Sequence, residues 1–444
     1  MIAVDDLNHW VGYLGRNRQT ITPNIDRLAA SATSFNRSYC AAPVCNPSRA
    51  ALMTGLRPDT TGVYGNNDDW RRVVPQELPL TTTFRNAGYR VVGAGKIYHE
   101  AYKRPSEWDD YLADSGTDPA PAGDKGVGGI RFGAVDAKDE DLREWKIVQY
   151  GIDELEKKHD KPFFLAIGLH KPHMPWFVPQ KYFDMHPLDK IELPPTHEND
   201  LSDIPSAGVK MARPDGDHRQ MVESGRWKEA IQAYLASVSY ADAMIGRLLD
   251  ALEKSPYRDN TIVVFWGDHG WHLGEKEHWR KFALWEEATR APLIWRVPGL
   301  TKPGSVSERT VDFMSIYPTL TELAEIDTPS HVQGESIRPL LVNPQAEWST
   351  PAVTSHEFDN HGIRSEGWRY IRYANGDEEL YDEAADPYEW KNLATDAKFD
   401  KHKEKLAKFI PTDKTPDLSA GPDGDNRAQG KKNRQQQRKQ RATQ

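Results

Sequence analysis

Cysteine is nearly absent from this chain of 444 residues: only Cys40 and Cys45 occur. A disulfide framework is therefore excluded, although these two could close one short loop. Long apolar runs are missing too. None approaches the roughly 18 residues of a membrane-spanning helix, so no membrane is expected as a partner. The first residues carry no basic stretch followed by an apolar core. No signal peptide is expected there, and the compartment is not legible from this stretch. Positive charge is not in excess either. The formal net charge of −9 gives the main domain no electrostatic footprint for nucleic acid. Aromatic residues, by contrast, are plentiful, with 14 Trp and 17 Tyr, and such a composition buries a core. The length exceeds the usual size of one domain. It predicts a large α/β domain followed by a smaller C-terminal subdomain.

Strand and helix patterns alternate along the chain. Met1-Ile2-Ala3-Val4 reads as the last half of a buried strand running into Asp5-Asp6. A helix is expected over residues 23–32, with Pro23 pre-set for its first turn and Thr22 as N-cap. Residues 81–87 predict a helix closed by Gly88, followed by a strand over 89–94. Residues 162–169 and 261–266 are continuous apolar runs, as buried parallel strands should be. Apolar residues at helical spacing from Ile231 to Leu252 make 227–254 the longest expected helix. Repeated strand–helix units predict a parallel sheet with helices on both faces. The Asp-, Gly- and Pro-rich stretches 105–145 and 186–226 read as excursions. Near the end, residues 367–373, a turn at Asn375-Gly376 and residues 379–382 form a hairpin signal. The last stretch is Gln-rich and basic and reads as a disordered tail, for which polyanion binding is an open possibility.

Polar residues gather just past the expected strand ends, where ligands bind in such sheets. Asp5, Asp6 and Asp268 offer carboxylates, and His269 an imidazole. Each pair alone could simply cap a helix. Packed together, carboxylates repel unless a cation intervenes. An Asp-rich set with one His suits Ca²⁺, with Mg²⁺ as second choice. Lys96 and His99 follow another strand, a point charge for an anion beside a group that moves protons. His170, Lys171 and His173 follow a third. Lys281, read without its context, is part of a solvated helix face.

The most informative segment is Cys45-Asn46-Pro47-Ser48-Arg49. Residues 48–55 behind it read as a short helix stopped by Gly55. The segment alone could be a Pro-containing turn with a buried thiol. Cys-x-Pro-Ser-Arg is also the pattern that maturation enzymes oxidise to Cα-formylglycine. Together with Ile2 to Asn8, Gly95 to His99, His170 to Pro175 and Trp266 to Glu275, it resembles the type I sulfatase family of the alkaline-phosphatase superfamily. The His-Lys-Pro-His block and His269 look like the iduronate-2-sulfatase branch and its bacterial relatives.

The resemblance implies an alkaline-phosphatase-like mixed sheet flanked by helices over residues 1–345. It implies an α+β subdomain with an antiparallel sheet over 346–415, leaving 416–444 as the tail. It implies that Asp5, Asp6, Asp268 and His269 bind Ca²⁺ together with the formylglycine made from Cys45. Arg49 would hold the formylglycine hydrate, Lys96 would bridge it to the sulfate, and His99 would orient or deprotonate it. His173 and Lys281 would bind the sulfate, one of them protonating the leaving alcohol. The expected partners are a sulfated polysaccharide or oligosaccharide and a formylglycine-generating enzyme, and the expected compartment is periplasmic or extracellular. Trp271 and His356 are expected substrate contacts, with Trp176, His272, Asn360 and His361 as further candidates. Two competing readings remain: a phosphate or phosphonate monoester hydrolase of the same superfamily, and a glycan-binding protein without catalysis.

Overall fold

The computed structural model describes residues 1–99, 102–112, 115–123 and 126–420. The expected basic tail from residue 421 onward lies outside them. The five residues before it, 416–420, are ordered: the Leu418 amide donates to the Gly62 carbonyl at 3.0 Å.

The strands in chain order are β1 (Ile2–Val4), β2 (Thr33–Tyr39), β3 (Arg90–Gly95), β4 (Asp110–Leu112), β5 (Phe132–Val135), β6 (Phe163–Leu169), β7 (Trp176–Pro179), β8 (Val263–Gly267), β9 (His272–Leu273), β10 (Trp279–Arg280), β11 (Leu293–Arg296), β12 (Ser305–Asp312), β13 (Ala352–Ser355), β14 (His361–Arg364), β15 (Trp368–Arg372) and β16 (Glu378–Asp382). Eight of them form the central sheet in the order β12-β2-β11-β8-β1-β6-β3-β4. The strands β12, β2, β8, β1, β6, β3 and β4 share one direction, and β11 alone runs against them. The sheet is thus mixed, as the resemblance implied, and not the parallel sheet that the strand–helix alternation alone predicted. One consequence decides the position of the site. The carboxyl ends of β1, β2, β3, β6 and β8 all open on the same edge.

Helices cover both faces. The longest, Trp227–Lys254, buries Ile231, Leu235, Val238, Met244, Ile245, Leu248 and Leu252, each such side chain contributing about 1.5–3 kcal/mol. The helix Pro23–Ala30 has Pro at its first turn, but Thr22 makes no cap bond to its backbone. The Thr22 hydroxyl instead accepts from the Gly12 amide at 2.8 Å. The stretch 105–145 is more than an excursion. It carries edge strand β4, strand β5 and the start of the helix Arg143–Glu156. The stretch 186–226 carries the helices Ser206–Ala212 and Asp217–Ser224.

Strands β13 to β16 form a separate antiparallel sheet in sequence order. The helix Asp400–Ala407 packs on it through Leu406. Its other face meets the main body through buried charge. Arg369 binds the carboxylates of Glu286, Glu383 and Glu389, and Arg364 adds Glu286 at 3.4 Å and Glu383 at 3.3 Å.

Candidate active site

Each cluster of polar residues is delivered by a strand that ends on the shared edge. Asp5 and Asp6 follow β1, and Asp6 takes a left-handed conformation (φ 58°). That turn is held by the Tyr234 hydroxyl, which donates to the Asp6 carbonyl at 2.9 Å, and by the Asp6 amide, which donates to Asp268 Oδ1 at 3.0 Å. Asp268 and His269 follow β8. Lys96 follows β3, whose last residue, Gly95 (φ 77°), crosses β6 closely. A Cβ there would fall 2.0 Å from the Gly168 carbonyl oxygen, so no larger residue fits behind Lys96.

Cys45 arrives through the connection after β2. It opens the helix Cys45–Thr54, three residues earlier than the sequence predicted, and all ten of the helix's residues are buried. Gly55 ends the helix in a left-handed conformation, as expected. The helix N-terminus places its partial positive charge at the Cys45 side chain. Arg49, one turn on, is fully enclosed. Its Nε donates to Asp268 Oδ2 at 2.9 Å, one terminal nitrogen pairs with Asp5 Oδ1 at 3.3 Å, and the other reaches the Lys96 and Ile97 carbonyls.

Around Cys45 Sγ stand Lys281 Nζ at 2.8 Å, His269 Nε2 at 3.4 Å and Asp6 Oδ1 at 3.8 Å. Lys281 also pairs with Asp6 Oδ1 at 2.7 Å, and Lys96 pairs with Asp5 Oδ2. Lys281 is 4% exposed, so it is not on a solvated helix face. It follows β10 in a loop, with the Trp271 ring 5.5 Å from its ammonium. His173 Nε2 lies 3.8 Å from Asp6 Oδ2, with the side chain 38% exposed. His99 is partly buried, and its Nδ1 has no hydrogen-bond partner.

The charges set one another. Burial raises the Asp5 carboxyl, but Lys96, His173 and Arg49 overcome this and hold it well below its ordinary value. Burial likewise works against Asp6, which Lys281 and His173 hold down. Asp268 is raised by burial, which Arg49 offsets only in part. Burial lowers both lysines, yet their carboxylates win, and Lys96 and Lys281 stay firmly cationic. The Cys45 thiol is pushed up by burial and by Asp5, so it is a poor source of thiolate. His99 is drawn down to about 4 by burial and the Lys96 charge, and His173 is lowered chiefly by burial.

These residues fit a cation. Donor atoms of Asp5, Cys45, Asp268 and His269 lie within 4.8 Å of one another, and so do those of Asp5, Asp6, Cys45 and His173. Asp6 Oδ2 is buried without a hydrogen-bond partner. His269 Nδ1 lies 2.9 Å from the Gly270 carbonyl, so its proton belongs there and Nε2 presents a lone pair. That lone pair faces Asp6 Oδ1 at 3.4 Å and Asp268 Oδ2 at 3.5 Å. Lone pair against carboxylate is repulsive, and a cation among them removes the repulsion.

Some expected site residues stand elsewhere. Trp271 is 1% exposed. It packs edge-on against Trp176, 6.1 Å between rings, and its bulk lies in the core behind Lys281. Trp176 and His272 are equally buried. His170 turns toward Glu144, with Nδ1 3.8 Å from its carboxylate, and Lys171 pairs with Asp118. His361 binds Asp59 at 2.8 Å inside the protein. His356 lies beyond Phe282, with 6.3 Å between ring centroids, on the wall of a cavity of about 1090 Å³ that Asn360 also lines. Tyr234, which fixes the Asp6 turn, was invisible in the sequence because it sits in the apolar stripe of the longest helix. Cys40 is a free, buried thiol beside β2.

A mixed sheet with its polar edge built this way has the alkaline-phosphatase-like fold. The sulfatase family model matches residues 1–326, and the model of the N-sulphoglucosamine sulphohydrolase C-terminal region matches residues 274–414. The chain is 39% identical to a sulfatase of Formosa agariphila over 92% of this chain and 85% of that one. It is 30% identical to human iduronate 2-sulfatase over 74% of this chain and 69% of that one. Among solved structures, a protein in complex with its substrate D-glucosamine-2-N,6-O-disulfate superposes with a TM-score of 0.75. That match has 23% identity and covers 92% of this chain and 96% of that one. The chain belongs to the sulfatase family, and it is a sulfuric ester hydrolase. Among the described residues, no helix is long and apolar enough to cross a membrane.

Proposed function

We propose that this enzyme hydrolyses a sulfate monoester on a saccharide, using Cα-formylglycine at position 45 and a bound Ca²⁺. The observation that carries this reading is the surroundings of Cys45 Sγ. It stands at a helix N-terminus, 2.8 Å from one ammonium and beside a cation-ready carboxylate cluster, while its own thiol is kept protonated. The place is that of a nucleophile, but an unmodified thiol is badly suited to it. The relatives named above for their sulfated sugars support the substrate class.

Asp5, Asp6, Asp268 and His269 would hold the cation, which supplies positive charge where negative charge shifts in the transition state. The formylglycine supplies a nucleophilic oxygen and a second oxygen through which sulfate is released. Arg49 fixes that residue, helps to hold the Asp5 carboxyl down and partly offsets the burial of Asp268. Lys96 and Lys281 neutralise the sulfate oxygens that would otherwise repel attack. His99, neutral at pH 7, accepts a proton. His173 is neutral in the free enzyme, but an anionic ester beside it raises its pKa. It then donates to the leaving alcohol. Maturation requires a formylglycine-generating enzyme, and a polysaccharide substrate fits a periplasmic or secreted enzyme.

The test is release of inorganic sulfate from a panel of sulfated oligosaccharides, with phosphate and phosphonate esters alongside. The full chain is co-expressed with a maturation enzyme and compared with Cys45→Ala. Release by the wild type alone, with sulfate esters preferred, supports the reading. Preference for phosphonates, or binding of glycans without any release, would replace it.

A further inference from the structure

The cavity beyond Phe282 is not used by the chemistry above. It is large, about 1090 Å³, at the upper end of pockets that enclose a small ligand. It also adjoins the site. Phe282 follows Lys281 directly, its ring 5.9 Å from the Lys281 ammonium. His278, on the cavity wall, contacts the Lys281 carbonyl through Nε2 at 2.8 Å. Phe282 thus borders the cavity on one side and the Lys281 ammonium on the other.

Three properties say what that occupant is. First, the cations are unequal. Arg280 is neutralised by Asp217 at 2.6 Å. Lys210 and Arg213, from the helix Ser206–Ala212 and its C-cap, have no ion-pair partner among the described residues, and both line the cavity. Second, four large residues of the lining hold left-handed backbone: Arg213 (φ 54°), Arg280 (φ 79°), Phe282 (φ 76°) and Glu357 (φ 54°). Glycine would hold each position at lower conformational cost, and such strain collects at ligand clamps. Third, His356 is 6% exposed and its Nδ1 has no hydrogen-bond partner. Beside it, Phe282 and the exposed Phe358 offer faces for the C–H side of a sugar ring. Glu357, Asn360 and Asp417 offer acceptors for hydroxyls.

We propose that this cavity is a subsite for a second, acidic sugar unit, whose carboxylate or sulfate is bound by Lys210 and Arg213. The preferred substrate is then an oligosaccharide with at least two anionic groups, only one of which is the scissile ester. The inference rests on the sulfatase reading and adds to it the neighbour that the enzyme selects.

The experiment measures sulfate release by the full matured chain and by Lys210→Ala/Arg213→Ala. The probes are 4-methylumbelliferyl sulfate, glucosamine 6-sulfate and size-defined oligosaccharides of heparin, chondroitin sulfate and carrageenan. On the best oligosaccharide the double variant is expected to raise KM about tenfold or more, with kcat within about twofold. Activity on the two singly charged probes stays unchanged. The KM difference shrinks as salt is raised, and Lys210→Arg/Arg213→Lys restores KM. A variant that leaves the oligosaccharide KM unchanged, or that loses activity equally on all probes, overturns the proposal. So does a wild type that cleaves singly charged probes but no acidic oligosaccharide, while the sulfatase reading stands. Release from no probe at all would sink both.

Discussion

Lys281 Nζ lies 2.8 Å from Cys45 Sγ. The same ammonium sits 2.7 Å from Asp6 Oδ1, so one cation joins Cys45 to the carboxylate cluster. No sequence spacing announces this, since the two residues are 236 positions apart. It comes from β10 turning its following loop over the edge where β1 and β2 end.

Replacing Lys281 by Ala is expected to lower kcat by about 10² to 10³. The fold should survive, because Asp6 then gains the cation as its remaining counter-charge. Steady-state kinetics and near-ultraviolet circular dichroism check both parts. A kcat within about threefold of wild type would remove Lys281 from the machinery.

The pH profile should carry the signature of His99. Burial and Lys96 hold it near 4, so it is neutral and able to accept a proton throughout the neutral range. Moving down in pH, kcat/KM should fall as the solution approaches 4 and the imidazole becomes charged. His99→Gln should lower kcat by about 10² and erase that acid limb. An unchanged limb in the variant would assign it to another group.

Cation removal should be visible without any substrate. Chelation leaves the lone pair of His269 and the Asp6 and Asp268 carboxylates facing one another. Saturating Ca²⁺ is therefore expected to stabilise the folded state by about 3 kcal/mol at a hundredfold excess over its Kd, and Mg²⁺ by less. Thermal melts with each ion and with EDTA read this directly. Identical melting in all three would argue against a cation site here.

The second sheet is fastened by Arg369, which is 1% exposed among Glu286, Glu383 and Glu389. Arg369→Ala leaves Glu389 without its cation and Glu286 and Glu383 to the support of Arg364, and should cost about 3–5 kcal/mol. Urea unfolding measures it, and a loss below about 1 kcal/mol would show the network to be dispensable.

Much of the site was legible because its residues follow buried apolar strands. β1, β3, β6 and β8 announce themselves as apolar runs, and Asp5, Lys96, His170 and Asp268 come next in the chain. β2 did not, because Thr33–Tyr39 carries Asn36 and Arg37, which reach sideways to Glu308 on β12. β11 is only four residues long and is not among the expected strands, and nothing in its residues states that it runs antiparallel. Trp271 is less legible. An aromatic beside a chemical motif suggests a sugar platform, but Trp176 packs edge-on against it and it is 1% exposed. The groups around Lys281 were least legible, since a loop of charged residues looks the same exposed or buried.

The central claim is that residue 45 works as an aldehyde and not as a thiol. Tandem mass spectrometry of the tryptic peptide spanning Ser38 to Arg49 tests it, on protein co-expressed with a maturation enzyme, with Cys40 as an internal control. The account predicts formylglycine or its hydrate at position 45 and an intact thiol at Cys40, the fraction converted scaling with sulfate release. An unmodified Cys45 in protein that turns over sulfate esters at full rate would contradict it.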